Sequence, residues 1–385
     1  MSILIKEDAI INLMKKIVIS GGHLTPALAV IEELQQYGGW EIFFIGRKYA
    51  AEEDKTPSLE AKIITDQGIK FLPVNFGRLQ HHFTRYTIPA LLRIPWGFIR
   101  TYFYLIKIKP DVVLSFGSYV GLPVVFNAWL LKIPAAIHEQ TTVVGLGNKI
   151  ARFFAKKIFV SWPETLKFLP EDKTVLTGNP FRKNYFSFNQ RKFSDWGFSK
   201  KQPLVLVTGG NQGSHRINLA IEKILPKILM KYNLFHQTGH LEASGDFERL
   251  KAAKDKLPIS LKNNYQVRKY LTGEEWGSLL TSTDLIVARA GINTITEALF
   301  LGKPQLLIPI PWLPGDEQTK NALMVKQIGL GEILLQEDLS PENLLDKIDQ
   351  MIKNLDKYSS AGTQTRKLVS SDAAKKIVDE LEKMA

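Results

Sequence analysis

Four short segments of this 385-residue chain join glycine to hydroxyl, amide, imidazole or carboxyl side chains. They are Ser20-Gly-Gly-His23, Ser115-Phe-Gly-Ser-Tyr-Val-Gly121, Thr208-Gly-Gly-Asn-Gln-Gly-Ser214 and Ala290-Gly-Ile-Asn-Thr-Ile-Thr-Glu297. Each follows an apolar run and opens a helical pattern. Glycine lets a backbone approach a ligand closely, and a helix start offers unpaired N–H groups and a positive dipole end to an anion. One such loop is common at any tight turn. Two in each half of the chain point to two phosphorylated ligands that meet in a cleft. None of the four reads GxxxxGK[ST], or GxGxxG followed by a ribose-binding acid, so ATP hydrolysis and NAD chemistry lose support. No Asp-x-Asp occurs either.

The elements that must position these loops are short apolar strands alternating with amphipathic helices. Strands are expected near residues 17–20, 41–45, 111–115, 135–138 and 157–161. The rhythm restarts with Pro203-Leu-Val-Leu-Val-Thr208 and continues near 284–288 and 305–310. Such β-α alternation implies parallel sheets covered by helices. The chain length suits two domains. The expected class is α/β: two doubly wound Rossmann-like domains facing a cleft, with ligands beyond the carboxyl ends of the strands. The expected division is an extension over 1–14, an N-terminal domain over 15–183, a connection over 184–202 and a C-terminal domain over 203–385. The last helix is a candidate to pack back on the N-terminal domain.

Composition narrows the partners. Lys and Arg number 50 against 38 Asp and Glu, a formal charge of +12, which favours anionic partners. There is no cysteine, so disulfides, thiolate metal sites and cysteine nucleophiles are excluded. Residues 67–110 hold no acid but carry Lys70, Arg78, Arg85, Arg93, Arg100, Lys107 and Lys109 among Trp96, Phe98, Ile99, Phe103 and Tyr104. Arg93 and Arg100 share a face of any helix there, while Pro89 and Pro95 argue against an unbroken one. Cations beside buried aromatics are what an anionic membrane surface binds. Nucleic acid is disfavoured, since no recognised module accompanies the charge. Residues 1–16 lack the pattern of an export signal, and Met14 is an alternative start.

Taken together, several motifs resemble those of the peptidoglycan N-acetylglucosamine transferases of glycosyltransferase family 28. They are Gly21-Gly-His23 with Pro26, His138-Glu-Gln140 with Gly145-Leu-Gly-Asn148, Gly178-Asn-Pro-Phe-Arg182, Gly209-Gly-Asn-Gln-Gly213, Arg289-Ala-Gly-Ile-Asn-Thr-Ile-Thr-Glu297, and Gln318-Thr-Lys-Asn-Ala322. The resemblance runs from about Lys15 to the C-terminus. It implies a GT-B fold and an inverting transfer of N-acetylglucosamine from UDP-N-acetylglucosamine. The acceptor would be the 4-hydroxyl of an undecaprenyl-diphosphate-linked muramyl pentapeptide, used at the cytoplasmic face of the membrane. No cofactor is required on this reading, and stimulation by Mg²⁺ stays open.

Residue by residue, the resemblance implies the following roles. Inverting transfer needs a base for the acceptor hydroxyl and stabilisation of the leaving diphosphate. His23 is one candidate base, with helix capping or phosphate binding as the plainer alternative. Glu139 is the other, as base or as the group that orients His23, against a structural hydrogen bond. Ser20, Gly21, Gly22, Tyr119 and Thr141 fall on the acceptor side. Arg182 falls on the UDP phosphates, with a hinge salt bridge as its alternative. Asn211, Gln212 and Gly213 line the donor site, and the backbone at Leu271 reads uracil. Gly291, Ile292, Asn293, Thr294, Ile295 and Thr296 meet the diphosphate. Glu297 takes the ribose hydroxyls, although Thr294-Ile-Thr-Glu297 also reads as a capping box. Gln318 is placed on the donor sugar, and Asn321 lies one turn further along.

The chain departs from the family on the acceptor side. Ser20-Gly-Gly-His23 is two residues shorter than the usual GGTGGH, Ser118 stands for a glycine, and Thr141 stands for an asparagine. Three further readings therefore stay open: a UDP-sugar transferase using another membrane lipid, a UDP-N-acetylglucosamine epimerase, and a non-enzymatic binder.

Overall fold

The computed structural model describes residues 14–47, 49, 58–75, 87–186, 196–198, 202–240, 244–365 and 368–385. Arg78 and Arg85 of the basic stretch, and the extension before Met14, lie outside them. The chain divides into two compact units, residues 1–182 with 370–385, and residues 183–369.

In chain order, the first unit runs β1 (Lys15–Ser20), α1 (Leu24–Tyr37), β2 (Trp40–Arg47), α2 (Leu59–Asp66), β3 (Lys70–Val74), α3 (Thr87–Ile108) and β4 (Val112–Ser115). It continues α4 (Ser118–Leu130), β5 (Ala135–Glu139), α5 (Leu146–Ala151), β6 (Lys157–Val160), α6 (Pro163–Leu166) and β7 (Thr174–Leu176). The sheet order is β3-β2-β1-β4-β5-β6-β7, with every pairing parallel. Strands buried on both faces read as continuous apolar runs, as in Ile17-Val-Ile19 and Val112-Val-Leu114, all fully buried.

The second unit repeats the scheme. It runs β8 (Leu204–Thr208), α7 (His215–Leu229), β9 (Asn233–Gln237), α8 (Asp246–Asp255), α9 (Ile259–Lys262), β10 (Tyr265–Arg268) and α10 (Gly273–Ser282). Next come β11 (Leu285–Ala288), α11 (Ile292–Leu301), β12 (Gln305–Leu307), α12 (Glu317–Gln327), β13 (Gly331–Ile333), α13 (Pro341–Lys353) and α14 (Leu355–Thr365). Its parallel sheet has the order β10-β9-β8-β11-β12-β13. Each sheet grows outward in one direction and then restarts from its centre. This puts a topological switch between β1 and β4, and another between β8 and β11. Neighbouring loops diverge there and leave room for a ligand.

Two features differ from the sequence reading, and a third decides where the last helix packs. Helix α3 continues through Pro95. Pro89 causes no break either, because it stands in the first turn, where a backbone N–H has no helical partner. The second unit ends at Val369, while α15 (Ala373–Glu382) lies in the first. There Ile377, Val378 and Leu381 join the core made by Ile31, Leu34 and Trp40, and Lys15 Nζ meets Glu382 at 2.8 Å. Finally, the described part of 184–202 belongs to the second unit. Trp196 and Phe198 are buried against Phe235, and Gln266 Nε2 donates to the Trp196 carbonyl at 2.7 Å.

Residues far apart in sequence therefore share one core, and cutting back Leu381 should weaken the N-terminal unit. We expect Leu381→Ala to cost about 2–5 kcal/mol. Urea unfolding should show this as a lower midpoint for the transition of the first unit.

Candidate active site

At the first switch point, β1 ends in Ser20-Gly21-Gly22-His23 and β4 in Ser115-Phe116-Gly117-Ser118. Phe116 N donates to the Ser20 carbonyl at 2.7 Å. Gly21 has φ +131°, and a Cβ there would lie 2.7 Å from the Phe116 backbone, so only glycine fits. A Cβ on Gly22 would strike Ser118 at 2.8 Å. The two loops are pressed together, and His23 sits at the N-cap of α1 with no side-chain capping bond. Tyr119, in the first turn of α4, packs in part against the core. The Ser20 hydroxyl is buried and unpartnered among the described residues.

The third loop, after β5, is organised by Glu139. Its Oε1 accepts from Thr141 N and Thr141 Oγ1, and its Oε2 from Gly145 N at 2.9 Å and Asn148 Nδ2 at 3.0 Å. Burial pushes this carboxyl above its ordinary value, while the four hydrogen bonds pull it down. Glu139 was expected to serve as base or to orient His23. Instead its carboxylate is occupied by its own loop, because Thr141, Gly145 and Asn148 fold back on it. Thr141 is likewise engaged, its hydroxyl also lying 2.6 Å from the Val143 carbonyl. The residue that meets His23 is Gln140, whose Nε2 lies 2.7 Å from His23 Nδ1. Sequence reading missed this pairing, since 117 positions separate the two.

Electrostatics keep the His23 ring neutral. Burial, helped by the positive charge of Arg47, lowers its pKa to about 4. His138 is structural: its Nε2 lies 3.2 Å from Ser161 Oγ, its ring packs on Phe116, and burial lowers its pKa to about 3. Arg182 forms an ion pair with Glu32 of α1 at 3.1 Å. Burial raises the Glu32 carboxyl despite that pairing.

At the second switch point, Gly209 and Gly213 admit similar crowding. A Cβ on Gly213, at φ +83°, would lie 2.0 Å from the Thr238 carbonyl oxygen. Asn211 and Gln212 stand exposed at the tip, and His240 N donates to the Asn211 carbonyl at 3.0 Å. Helices α7 and α11 begin here, capped by Ser214 and Gly291 with no side-chain capping bond. A Cβ on Gly291 would meet nothing within 4 Å, so space lies open before the start of α11. The N–H groups of Ile292, Asn293 and Thr294 belong to this first turn, with Ile295 and Thr296 buried behind it.

The capping box expected from Thr294 and Glu297 is absent, because the helix begins three residues earlier, with Gly291 as its N-cap. Glu297 is therefore a mid-helix carboxylate, nearly buried, and its Oε2 accepts from Trp276 Nε1 at 2.7 Å. Gln318 Oε1 accepts from Ile310 N at 3.0 Å. Asn321, read as lying one turn from Gln318 in the donor site, is fully buried and donates to the Ala290 carbonyl at 3.1 Å, holding the turn before α11. Leu271 buries its side chain after β10, and among the described residues its backbone N–H and C=O have no partner.

Arg289 ties these loops together. Buried, it donates to Ser214 Oγ at 3.0 Å, to the carbonyls of Ile308 and Pro309, and to Gln336 Oε1 at 2.7 Å. All four acceptors are neutral. Burial, with Arg216 nearby, lowers its pKa to about 10, so it stays charged at neutral pH. An uncompensated cation between two uncapped helix starts favours a diphosphate. Among the described residues no three His, Asp or Glu side chains are grouped to hold a metal ion.

Two parallel α/β units, each with open helix starts at its switch point, define a GT-B-type nucleotide-sugar transferase fold. The family models for the glycosyltransferase family 28 N-terminal and C-terminal domains match residues 19–160 and 204–380. The chain belongs to glycosyltransferase family 28 and is a glycosyltransferase. It is 34% identical to a Bacillus cereus UDP-N-acetylglucosamine--N-acetylmuramyl-(pentapeptide) pyrophosphoryl-undecaprenol N-acetylglucosamine transferase, over 96% of this chain and 99% of the relative. A Clostridium botulinum transferase of the same description is 33% identical over 90% of this chain and 93% of its own length. The crystal structure of Acinetobacter baumannii MurG is similar, with a TM-score of 0.70 and 27% identity over 96% of this chain and 99% of that one. A Neisseria meningitidis UDP-GlcNAc 2-epimerase, 15% identical, shares the fold at a TM-score of 0.65 over 96% of this chain and all of that one.

The buried histidines set a pH dependence. His138 and His236 both have pKa values lowered to about 3 by burial, against about 6.5 when unfolded. The unfolded chain binds more protons between those values, so stability is complete above about pH 6.5 and declines as pH falls through this window. Urea unfolding should show no loss between pH 7 and about pH 6.5, and below that, down to pH 4, a loss of about 1.4 kcal/mol per pH unit for each histidine.

Proposed function

We propose that the chain transfers N-acetylglucosamine from UDP-N-acetylglucosamine to the muramyl 4-hydroxyl of an undecaprenyl-diphosphate-linked muramyl pentapeptide, with inversion. The observation that carries this reading is the end-to-end similarity, 34% over 96% of the chain, to a transferase of that description. His23 Nε2 takes the proton of the acceptor hydroxyl, whose oxygen attacks the anomeric carbon. The bond from that carbon to the UDP oxygen breaks, and the diphosphate leaves with the electron pair. The starts of α7 and α11, with Arg289 behind them, stabilise its charge. Glu297 holds the ribose hydroxyls, backbone groups at Leu271 read the base, and Gln318 faces the sugar.

Transfer of labelled N-acetylglucosamine to the lipid-linked pentapeptide tests this. His23→Ala should lower kcat by about 10²–10⁴ with donor affinity kept. Glu297→Ala should raise the donor KM. UDP-sugar binding without transfer would favour a different lipid acceptor, the reading suggested by the shortened loop at Ser20–His23.

The first unit also exposes an apolar surface. Trp96, Ile99 and Phe103 of α3 are 52%, 47% and 63% exposed, and Leu146 and Phe153, on and just beyond α5, are 65% and 68% exposed. Arg93 and Arg100 lie on α3, Lys149 on α5 and Arg152 just beyond it. We assign this surface to peripheral docking on an anionic membrane. No described helix is long and apolar enough to cross one. Flotation with vesicles containing anionic lipid should recover the wild type. Trp96→Ala with Phe103→Ala should reduce recovery at least about tenfold, at roughly 25 cal/mol per Å² of apolar area lost.

A further inference from the structure

One contact in the first unit has no part in the roles above. The Gln140 side chain reaches from the end of β5 to His23 at the end of β1, with its Nε2 at 2.7 Å from His23 Nδ1. Gln140 is buried, its own carbonyl takes a hydrogen bond from Trp162 Nε1 at 3.0 Å, and its Oε1 is buried without a partner among the described residues. An amide is nearly isosteric when turned by half a turn, so the same cavity admits either atom against the ring.

The two orientations have opposite consequences. With Nε2 of Gln140 donating to Nδ1, the neutral imidazole carries its proton on its own Nε2 and can only donate from there. With Oε1 of Gln140 accepting from Nδ1–H, the lone pair of His23 Nε2 is free. Only the second form can take a proton from a hydroxyl.

We propose that Gln140 is the positioning residue of His23, presenting its carbonyl oxygen to Nδ1–H in the reactive form and so fixing the tautomer whose Nε2 acts as base. This rests on His23 being the base of the transfer proposed above. The choice of an amide has a consequence of its own. Among the described residues, the groups facing the ring are Arg47 from β2, His138 from β5 and Gln140, and none of these carries negative charge. The Glu139 carboxylate is turned into its own loop. The imidazolium formed during the reaction is therefore not stabilised by a carboxylate, and the ring stays neutral well below neutral pH.

The test uses the full chain with ¹⁵N-labelled histidine, His23→Gln assigning the signals, together with steady-state transfer to the muramyl-pentapeptide lipid. We expect the wild type at pH 7 to show His23 protonated on Nδ1. Gln140→Ala should lose that preference and lower kcat at least about tenfold, leaving the donor KM unchanged. Gln140→Glu, close in shape, should keep turnover. It should also move the acid limb of kcat/KM upward by at least about one pH unit, because a carboxylate favours the imidazolium. Gln140→Glu decides the matter should Gln140→Ala unfold, as judged by its urea midpoint. A wild-type ring protonated on Nε2, with and without acceptor, would overturn the proposal. So would a pH profile for Gln140→Glu that superimposes on the wild type. Full activity in His23→Ala would instead remove the underlying assignment of the base.

Discussion

The structure depends on how closely two backbones can approach at a topological switch. In the first unit Gly21 lets the end of β1 lie against Phe116, and in the second Gly213 lets the loop after β8 lie against Thr238. A side chain at either place would clash with that backbone and force the loops apart. Within each unit the close approach sets helix starts beside the next strand's loop, α1 in the first unit and α7 and α11 in the second, with no capping bond from their N-cap side chains. The fold thereby supplies fixed dipoles for phosphate before any charged side chain is counted.

The charged side chains then divide between holding and acting. Glu139 is saturated by donors of its own loop, and its main effect is to shape residues 140–148. Asn321 and Thr141 serve in the same way. Arg289 looks structural by its bonds, yet all of its partners are neutral, so its charge remains available to the surroundings. Burying a cation without a counter-ion is costly, and an anionic ligand offsets that cost. His23 is the opposite case, kept uncharged by burial and by Arg47 and so able to accept a proton at neutral pH.

The family relation fits this division. The motifs shared with glycosyltransferase family 28 include residues that shape loops as well as residues that face open space. A motif of mixed purpose does not by itself say which member does chemistry. Glu139 and Gln140 are adjacent, one bound into its loop and the other reaching the histidine. In the second unit Glu297 reads as a ligand with a helix cap as its alternative until the start of α11 is known.

Sequence alone determined the parallel α/β class, the two-fold repeat of the scheme, the four glycine loops and their placement after strands. Apolar runs of three to five residues followed by glycine have few alternatives once buried on both faces. It did not show β3, β7, β9, β10 or β13, strands of three to five residues with no clear period in the sequence. It overstated the effect of Pro95, whose missing N–H removes only one bond from a long helix. Only the tertiary structure decided that α15 completes the first core, that Trp276 holds Glu297, and that Gln140 meets His23. Each of these joins residues distant along the chain through side-chain packing, and local propensity carries no record of which distant surface will be there.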